Sequence, residues 1–381
     1  MEFSLSQDQK DICEFVYDFA TKNLNKDIFK DDEKSNFPIE KWKDCGEFGI
    51  HGLPIPEEYG GQGYNMLDTA LAVESLAYGC MDEGLVFGIC AHMLACAIPI
   101  NIFGSQEQKQ KYLPNISKGK IICGNAISEA EAGSDLKSMK TKIEKTDKEY
   151  ILSGNKIFVS NGPVADLFIV YAKHKDGMDM LDTSAVIVER GNNGLSNGQK
   201  FEKMGIRSCQ LGEIVLTECN IPIENLIGRE KMGMLVFNYS MLWERIIMSA
   251  YHLGSMRQQY KIVLDYANKR KQFNNKIIKF DSVSEKLIDM KMRIELSELL
   301  LYKTCWKFDN DLLKKEDPSV CKLFISESKV KSSLEAVQIF GAYGYLKESM
   351  VEKQLRDSIA SKMYSGTSEI HKRIIAESLV K

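Results

Sequence analysis

Residues 142–162 read KIEKTDKEYILSGNKIFVSNG, and this stretch decides the fold. It holds two segments in which apolar and polar residues alternate, each bounded by polar turn residues. A period of two predicts half-buried β-strands rather than helix. Short β-branched runs continue the pattern downstream: LFIVYA (167–172), SAVIV (184–188) and EIVL (213–216). Residues 121–230 are therefore predicted to form a β-domain.

The chain on both sides of this region follows a helical period. In residues 1–120 apolar side chains recur every three or four positions, as at Ile12, Phe15, Val16 and Phe19. Residues 231–381 contain two long periodic stretches, LWERIIMSAYHLGSMRQQYKIVLDYANKR and SVSEKLIDMKMRIELSELLLYKTCWKF. The order α, β, α predicts a multidomain α+β protein with an N-terminal helical domain, a middle β-domain and a C-terminal helical bundle.

Composition excludes several classes of partner. The 50 Lys and Arg residues nearly balance the 53 Asp and Glu residues, and no basic stretch is interleaved with aromatics, so a nucleic-acid partner is not expected. The ten cysteines show no two-residue spacing, which predicts free thiols in a reducing compartment and a cytoplasmic protein. The opening residues MEFSLSQDQK lack a leader pattern.

One uncharged stretch, residues 84–104, has about the length that spans a bilayer. His92, Pro99 and Asn101 interrupt it, and two acidic residues precede it. A helix buried inside a helical domain explains it better than a membrane span.

Nucleotide-binding and metal-binding motifs are missing from the sequence. It has neither a strand-linked GxGxxG turn nor a GxxxxGK[ST] loop, and its five histidines do not pair at ligand spacing. We therefore expect neither a Rossmann dinucleotide site nor a P-loop, and no metal site.

Two segments of the middle region could face a ligand. Ser128 precedes a small-residue turn with Gly133 and Ser134, whose amides and hydroxyls would be free for hydrogen bonds. Phe158 and Ser160 stand two apart in a predicted strand, hence on one face of it. Taken singly, the first segment is more typical of an ordinary surface turn and the second of core packing followed by a turn.

Two further segments lie near the C-terminus. Gln338 and Gly341 belong to QIFGAYGY, and Thr367 and Glu369 belong to YSGTSE. Glycines here allow close backbone approach to a ligand. Helix caps joined by a connecting loop would explain the same residues.

Taken in order, these segments closely resemble the acyl-CoA dehydrogenase family over essentially the whole chain. The matching motifs are PEEYGGQG (56–63), ISEAEAGSD (127–135), IFVSNG (157–162), KMGIRS (203–208), NKRKQF (268–273), QIFGAYGY (338–345) and RDSIASKMYSGTSEI (356–370). The resemblance implies a C-terminal four-helix bundle and a homotetramer with FAD between subunits. It also implies α,β-dehydrogenation of an acyl thioester.

The resemblance assigns cofactor contacts residue by residue. Ser128 and Ser160 stand where the family presents hydroxyls to the flavin ring, and Phe158 stands where many members place Trp. The turn at Gly133 and Ser134 would contact the cofactor or the thioester arm.

The remaining cofactor positions lie in the C-terminal third. Arg270 and Phe273 match residues that reach the FAD of a neighbouring subunit, and Gln338 and Gly341 match the segment that meets its ADP half. Thr367 and Glu369 match further contacts. Asn274 and Ala342 replace glycines that the family usually has.

The reaction needs a carboxylate that removes the α-proton. The commonest family pattern places Glu before Gly-Thr-Ser in the C-terminal loop, but this chain has Ser365 there. Another branch of the family places Glu on a bundle helix before Arg, and this chain has Glu244 and Arg245. The resemblance therefore implies that Glu244 is the general base.

Glu244 could instead pair with a cation on a helix face, as lone carboxylates often do. Its apolar neighbours, among them Trp243 and Ile246, favour a desolvated carboxylate with a raised pKa. We hypothesise that Ser365 keeps one task of the lost loop carboxylate residue, because its backbone amide can still donate to the thioester oxygen.

The stretch LWERIIMSAYHLGSMRQQ (242–259) resembles the branch that oxidises acyl or aminoacyl groups, such as prolyl, on the phosphopantetheine arm of a carrier protein. A short or branched acyl-CoA is the alternative substrate, with an electron-transfer flavoprotein or oxygen as electron acceptor. A flavin monooxygenase or a non-catalytic interaction protein of the same fold are further alternatives.

Overall fold

The computed structural model describes residues 4–175, 177 and 180–380. Its N-terminal part is helical, as predicted, and two of its helices begin with a capping box at Ser6 and Ser105. The helices are α1 (Gln7–Asn23), α2 (Ile28–Lys34), α3 (Ile39–Phe48), α4 (Met66–Gly79), α5 (Glu83–His92), α6 (Ile98–Phe103) and α7 (Gln106–Ser117).

Helices α5 and α6 form one continuous rod, joined by a π-helical segment at Met93–Ala97. Among the described residues, the rod Glu83–Phe103 is long and apolar enough to cross a membrane, yet 83% of its most apolar window is buried in the protein. The prediction of a buried helix is confirmed. Asp82 begins the rod, because its carboxylate accepts hydrogen bonds from the Gly84 and Leu85 amides.

The middle region forms a mixed sheet, which confirms the predicted β-domain. Its strands are β1 (Cys123–Ala126), β2 (Lys142–Lys145), β3 (Glu149–Ser160), β4 (Leu167–His174), β5 (Thr183–Glu189), β6 (Leu195–Lys200) and β7 (Leu211–Pro222). The order is β1-β4-β2-β3-β7-β6, and β5 pairs with β4. The two alternating segments of residues 142–162 are the antiparallel strands β2 and β3.

The C-terminal part is helical again. Its elements are α8 (Gly233–Lys269), the small hairpin β8 (Lys271–Gln272) and β9 (Asn275–Lys276), α9 (Asp281–Asp309), α10 (Asp317–Phe340), α11 (Val351–Ala360) and α12 (Ser368–Leu379). The 37-residue helix α8 packs against α9 and α10 and against α4 of the N-terminal part. The predicted α, β, α architecture is confirmed.

A buried polar junction holds the three parts together. The Ser208 hydroxyl of the middle region donates to Asp82 at the start of α5. Asp357 of α11 accepts from the Ile206 amide of the middle region and pairs with Lys353. These contacts fix the middle region against both helical parts next to the loop that follows α11.

Candidate active site

Glu244 lies in the first third of α8, and only 8% of its surface is exposed. The Ser365 hydroxyl donates a hydrogen bond to its Oε1 atom. Burial raises the pKa of Glu244, while the Ser365 hydrogen bond and the nearby Arg245 and Lys322 cations oppose that rise. The carboxylate is thus desolvated and held in one orientation, as a general base requires.

The loop between α11 and α12 covers Glu244. Ser365 and Gly366 both have left-handed backbone conformations, with φ of 55° and 101°. Arg245 Nε donates to the Ser365 carbonyl at 3.3 Å, and Lys322 Nζ donates to the Gly366 carbonyl at 2.7 Å. Within the described residues, the Ser365 amide has no hydrogen-bond partner. Its N–H is therefore available to a ligand.

Aromatic and sulfur side chains complete the surroundings of the carboxylate. The Tyr364 hydroxyl shares a 2.5 Å hydrogen bond with His252 Nε2, and its ring lies 4.6 Å from the Phe87 ring. Cys90 of α5 is buried, and burial together with the Glu244 charge raises the pKa of its thiol. Burial also lowers the pKa of His252 well below its usual value, so this histidine is neutral.

The predicted flavin-facing residues of the middle region lie at the end of β3. Phe158 is 56% exposed and has a φ of 56°, and the pairing of β3 with β7 shifts register between Lys156 and Val159. A β-bulge therefore interrupts the pleat just before this pair, while Val159 is buried between the exposed Phe158 and the half-buried Ser160. That Phe158 and Ser160 share one face stays a prediction. The Phe158 ring lies at the surface, 5.3 Å from Phe201.

The Ser128 segment lies beside this bulge. The Ile157 amide donates to the Ser128 carbonyl at 2.9 Å, and Ser128 and Ser160 are each half-buried. The exposed ring of Phe158 and the half-buried Ser128 and Ser160 of these two linked segments are residue types that can provide the apolar face and the hydrogen bonds that a flavin ring needs. The structure thus fits the cofactor at this place.

The turn that follows Ser128 is anchored by Glu129. This carboxylate accepts from the Lys140 and Thr141 amides and pairs with the fully buried Lys156. Gly133 and Ser134 stand exposed beyond this anchor, and a Cβ added to Gly133 would meet nothing within 4 Å. The turn is open to solvent, as predicted.

The structure does not bring the remaining cofactor positions to Glu244. Arg270 follows the last residue of α8, so a rise of 1.5 Å per residue places it roughly 39 Å from Glu244. Phe273 is 88% exposed. Gln338 and Gly341 are exposed at the end of α10, where Gly341 has a φ of 61° and a ψ of −142° that only glycine adopts readily.

Local backbone structure explains why Asn274 and Thr367 stand at their positions. Asn274 has a φ of 63°, and asparagine tolerates this left-handed conformation better than most residues, which explains how it replaces glycine. Thr367 caps α12, because its hydroxyl accepts from the Ile370 amide at 3.3 Å. Glu369 is exposed in the first turn of that helix.

Sequence reasoning missed Lys322, His252 and Phe87. All three lie in helical stretches that also fit ordinary packing. A lysine inside the apolar run CKLFI was the one available signal, since buried lysines are rare without a partner.

Family models match nearly the whole chain. The acyl-CoA dehydrogenase N-terminal domain matches residues 6–120, the middle domain residues 124–219 and the C-terminal domain residues 231–380. The chain belongs to the acyl-CoA dehydrogenase family. The predictions of an FAD cofactor and of a flavin-dependent acyl-thioester dehydrogenase are confirmed at the level of this family.

Individual relatives are similar over their full length. An L-prolyl-[peptidyl-carrier protein] dehydrogenase of Serratia sp. (strain ATCC 39006) is 40% identical over 379 residues, which cover 100% of this chain and 98% of that protein. The crystal structure of the prolyl acyl carrier protein oxidase AnaB has a TM-score of 0.97 at 41% identity, covering 99% of this chain and 100% of AnaB. A structure of PigA with FAD and proline has a TM-score of 0.97 at 40% identity, covering 100% and 99%.

Proposed function

We propose that this chain oxidises an aminoacyl group, of the prolyl type, that is tethered as a thioester to a carrier protein, with Glu244 as general base. The observation that carries the proposal is the buried Glu244 carboxylate, which is held by the Ser365 hydroxyl. The Ser365 amide next to it has no partner in the part of the chain that the structure describes. The names of the similar Serratia and AnaB proteins support the prolyl carrier-protein substrate.

The chemistry follows from two features of the site. Burial keeps water from the Glu244 carboxylate and raises its pKa, which makes it a stronger acceptor for the substrate α-proton. Removal of that proton places negative charge on the thioester oxygen, where the Ser365 N–H can donate. FAD, when bound, supplies the acceptor for the β-hydride and, through a ribityl hydroxyl, a second donor to the thioester oxygen.

Three groups of residues would hold the cofactor. Ser128, Phe158 and Ser160 would contact the flavin ring, with Gly133 and Ser134 at its edge or at the thioester arm. Arg270, Phe273, Gln338 and Gly341 would contact the FAD of another subunit, and Thr367 and Glu369 would add further contacts. Support comes from the long separation along α8, which keeps Arg270 away from its own Glu244.

We propose a homotetramer, because Arg270 lies too far from its own Glu244 to contact the same cofactor and because α9 has an exposed apolar stripe. Helix α9 carries an apolar stripe in which each side chain is about half exposed, and such a stripe favours a subunit interface. Its members are Ile288, Met292, Leu296, Leu299 and Trp306. A cytoplasmic location fits the ten cysteines, all of which are free thiols in the structure.

We also propose domain boundaries after residues 120 and 230. The first lies between the end of α7 at Ser117 and the start of β1 at Cys123, and the second lies just before α8 begins at Gly233. Both boundaries fall in connecting segments, where domain boundaries typically lie.

Anaerobic flavin spectroscopy tests the proposed substrate. Prolyl carrier protein is expected to bleach the bound flavin, and prolyl-CoA and butyryl-CoA are expected to bleach it more slowly. Faster bleaching by a CoA thioester would favour an acyl-CoA dehydrogenase. Bleaching by NAD(P)H with oxygen-dependent product would favour a monooxygenase, and a colourless protein that takes up no FAD would favour a non-catalytic role.

The electron acceptor is resolved by the same preparation. Reoxidation of the reduced flavin can be followed with oxygen alone and with an added electron-transfer flavoprotein. Faster reoxidation with the electron-transfer flavoprotein would favour it as the acceptor, and reoxidation that is equally fast with oxygen alone would favour oxygen.

A further inference from the structure

Lys322 is a buried cation that the proposed chemistry does not use. It lies on α10 with no exposed surface, and its Nζ atom donates to the Gly366 carbonyl at 2.7 Å. Among the described residues, Lys322 has no carboxylate within ion-pair distance, unlike the buried Lys329 two turns further along the same helix. An ammonium group loses hydration on burial, so an unpaired one is costly to retain.

Charged groups from several elements face this ammonium. Glu244 and Arg245 belong to α8, Glu327 belongs to α10, and Glu369 belongs to α12. Burial and the Arg245 charge lower the pKa of Lys322 to about 7, although the carboxylates oppose the change.

Two uncharged groups complete its surroundings. The Tyr364 ring centroid lies 5.9 Å from Nζ. His371 on α12 is buried beside the loop, and burial and the two neighbouring cations lower its pKa to about 3, so it adds no third positive charge.

We propose that Lys322 is a positioning residue that clamps the loop 364–367, so that the Ser365 amide and the Ser365 hydroxyl stay aligned with the thioester oxygen and with Glu244. This inference rests on the proposed function. Lys322 touches neither reacting atom and acts through the loop.

The backbone of the loop needs such a clamp. Ser365 has a left-handed backbone conformation, which is unfavourable for residues other than glycine, and Gly366 also has a positive φ. Such conformations persist where surrounding contacts over-determine them. Here Arg245 and Lys322 bind two consecutive carbonyls, those of Ser365 and Gly366, from two different helices. Loss of the Lys322 contact would release the half of the clamp that α10 provides.

Three variants test the clamp. Lys322→Met removes the charge and the hydrogen bond at similar volume, Lys322→Arg keeps a charge at every accessible pH, and Lys331→Met removes an exposed lysine from the same helix as a control. The rate of anaerobic flavin reduction is measured from pH 5.5 to 9.5 at saturating substrate. Thermal unfolding and the flavin spectrum check that each variant is folded and loaded.

Lys322→Met is expected to slow flavin reduction on the order of 10²-fold, because catalytic groups are sensitive to misplacement of about 1 Å. The acid limb of its pH–rate profile should move to higher pH, because removal of a positive charge raises the pKa of Glu244. Lys322→Arg should keep most of the rate and remain active at alkaline pH, where the wild-type rate falls. A folded, loaded Lys322→Met with the wild-type rate and pH profile would overturn the proposal.

Hydrogen exchange of the peptide 362–370 gives a readout that needs no substrate. After correction for intrinsic exchange, the wild-type loop should be better protected at pH 6 than at pH 8. Lys322→Met should be equally unprotected at both. Equal protection in wild type and Lys322→Met would overturn the clamp. If no thioester bleaches the wild-type flavin, the proposed function fails, and the exchange result still decides the clamp.

Discussion

Two buried carboxylates, Glu83 and Glu244, lie where α8 packs against α10, and they have different hydrogen-bond partners. Glu83, at the start of α5, accepts from the Tyr251 and Ser255 hydroxyls of α8, each at 2.6 Å, and pairs with Lys329 of α10. Glu244 on α8 accepts from the Ser365 hydroxyl, while the equivalent lysine, Lys322, turns to a loop carbonyl. The two lysines lie seven residues apart, hence on one face of α10.

The difference fits a structural role for Glu83 and the proposed chemical role for Glu244. Three donors, one of them a cation, bind the two oxygens of the Glu83 carboxylate. One hydroxyl leaves Glu244 with lone pairs that a substrate C–H can approach. Both residues are buried, with 2% and 8% of their surface exposed. Their hydrogen-bond partners, and not their exposure, therefore differ.

Removal of the Glu244 charge should have the largest effect on activity. Glu244→Gln is expected to lower the rate of flavin reduction by about 10³-fold to 10⁴-fold, since an amide cannot accept the α-proton. Bound yellow flavin should remain. Anaerobic stopped-flow with prolyl carrier protein measures the rate, and bleaching at the normal rate would refute Glu244 as the base.

The same variant should not be less stable at neutral pH. Burial raises the pKa of Glu244, so the folded state holds this proton more tightly than the unfolded chain does. The contribution of Glu244 to stability then decreases as pH rises from the unfolded pKa through the folded pKa. Glu244→Gln is thus expected to raise the Tm at pH 7.5 but not at pH 4.5.

Removal of the Glu83 charge should have the opposite effect, namely a loss of stability with little loss of activity. Glu83→Gln leaves the Lys329 ammonium buried without its carboxylate, which is expected to cost about 3 kcal/mol of stability. Flavin reduction per loaded subunit should remain within about threefold of wild type, because Glu83 is bound to Lys329 and two hydroxyls rather than to the 364–367 loop. Chemical denaturation and stopped-flow on one preparation compare the two. A catalytic loss with unchanged stability would break the distinction between the carboxylates.

Removal of the Ser365 hydroxyl, the one hydrogen-bond donor to the Glu244 carboxylate among the described residues, should have the smallest effect. Ser365→Ala is expected to slow flavin reduction at pH 6 about fivefold, equivalent to one hydrogen bond of ~1 kcal/mol. The acid limb should move to higher pH, because the Ser365 hydrogen bond lowers the pKa of Glu244. Ser365→Gly is the matched control, since glycine tolerates the φ of 55°. An acid limb that moves in neither variant would show that the hydroxyl does not tune the base.

The fold followed from the sequence because periodicity is a local property. The alternation in residues 142–162 predicted β2 and β3, and the long apolar periods predicted α8 and α9. The bulge at Phe158 could not be predicted in this way, because a positive φ at a phenylalanine leaves no mark on the alternation.

The site was only partly predictable. The desolvation of Glu244 was expected from its apolar neighbours, but the structure shows that the loop around Ser365, distant in sequence, provides the direct contact to it. The clamp by Lys322 likewise joins residues 44 positions apart, and no spacing rule connects them. Contacts of this kind depend on how α10 and α12 pack, which a single sequence does not show.

The length of α8 has a consequence for how the protein behaves on dilution. One helix carries Glu244 in its first third and ends just before Arg270, roughly 39 Å away. In the proposed tetramer each chain therefore serves its own active site and the FAD of another. Mass action then couples cofactor retention to assembly. Activity per subunit should fall as the enzyme is diluted below the dissociation constant of the tetramer, and added FAD should shift that threshold to lower protein concentration.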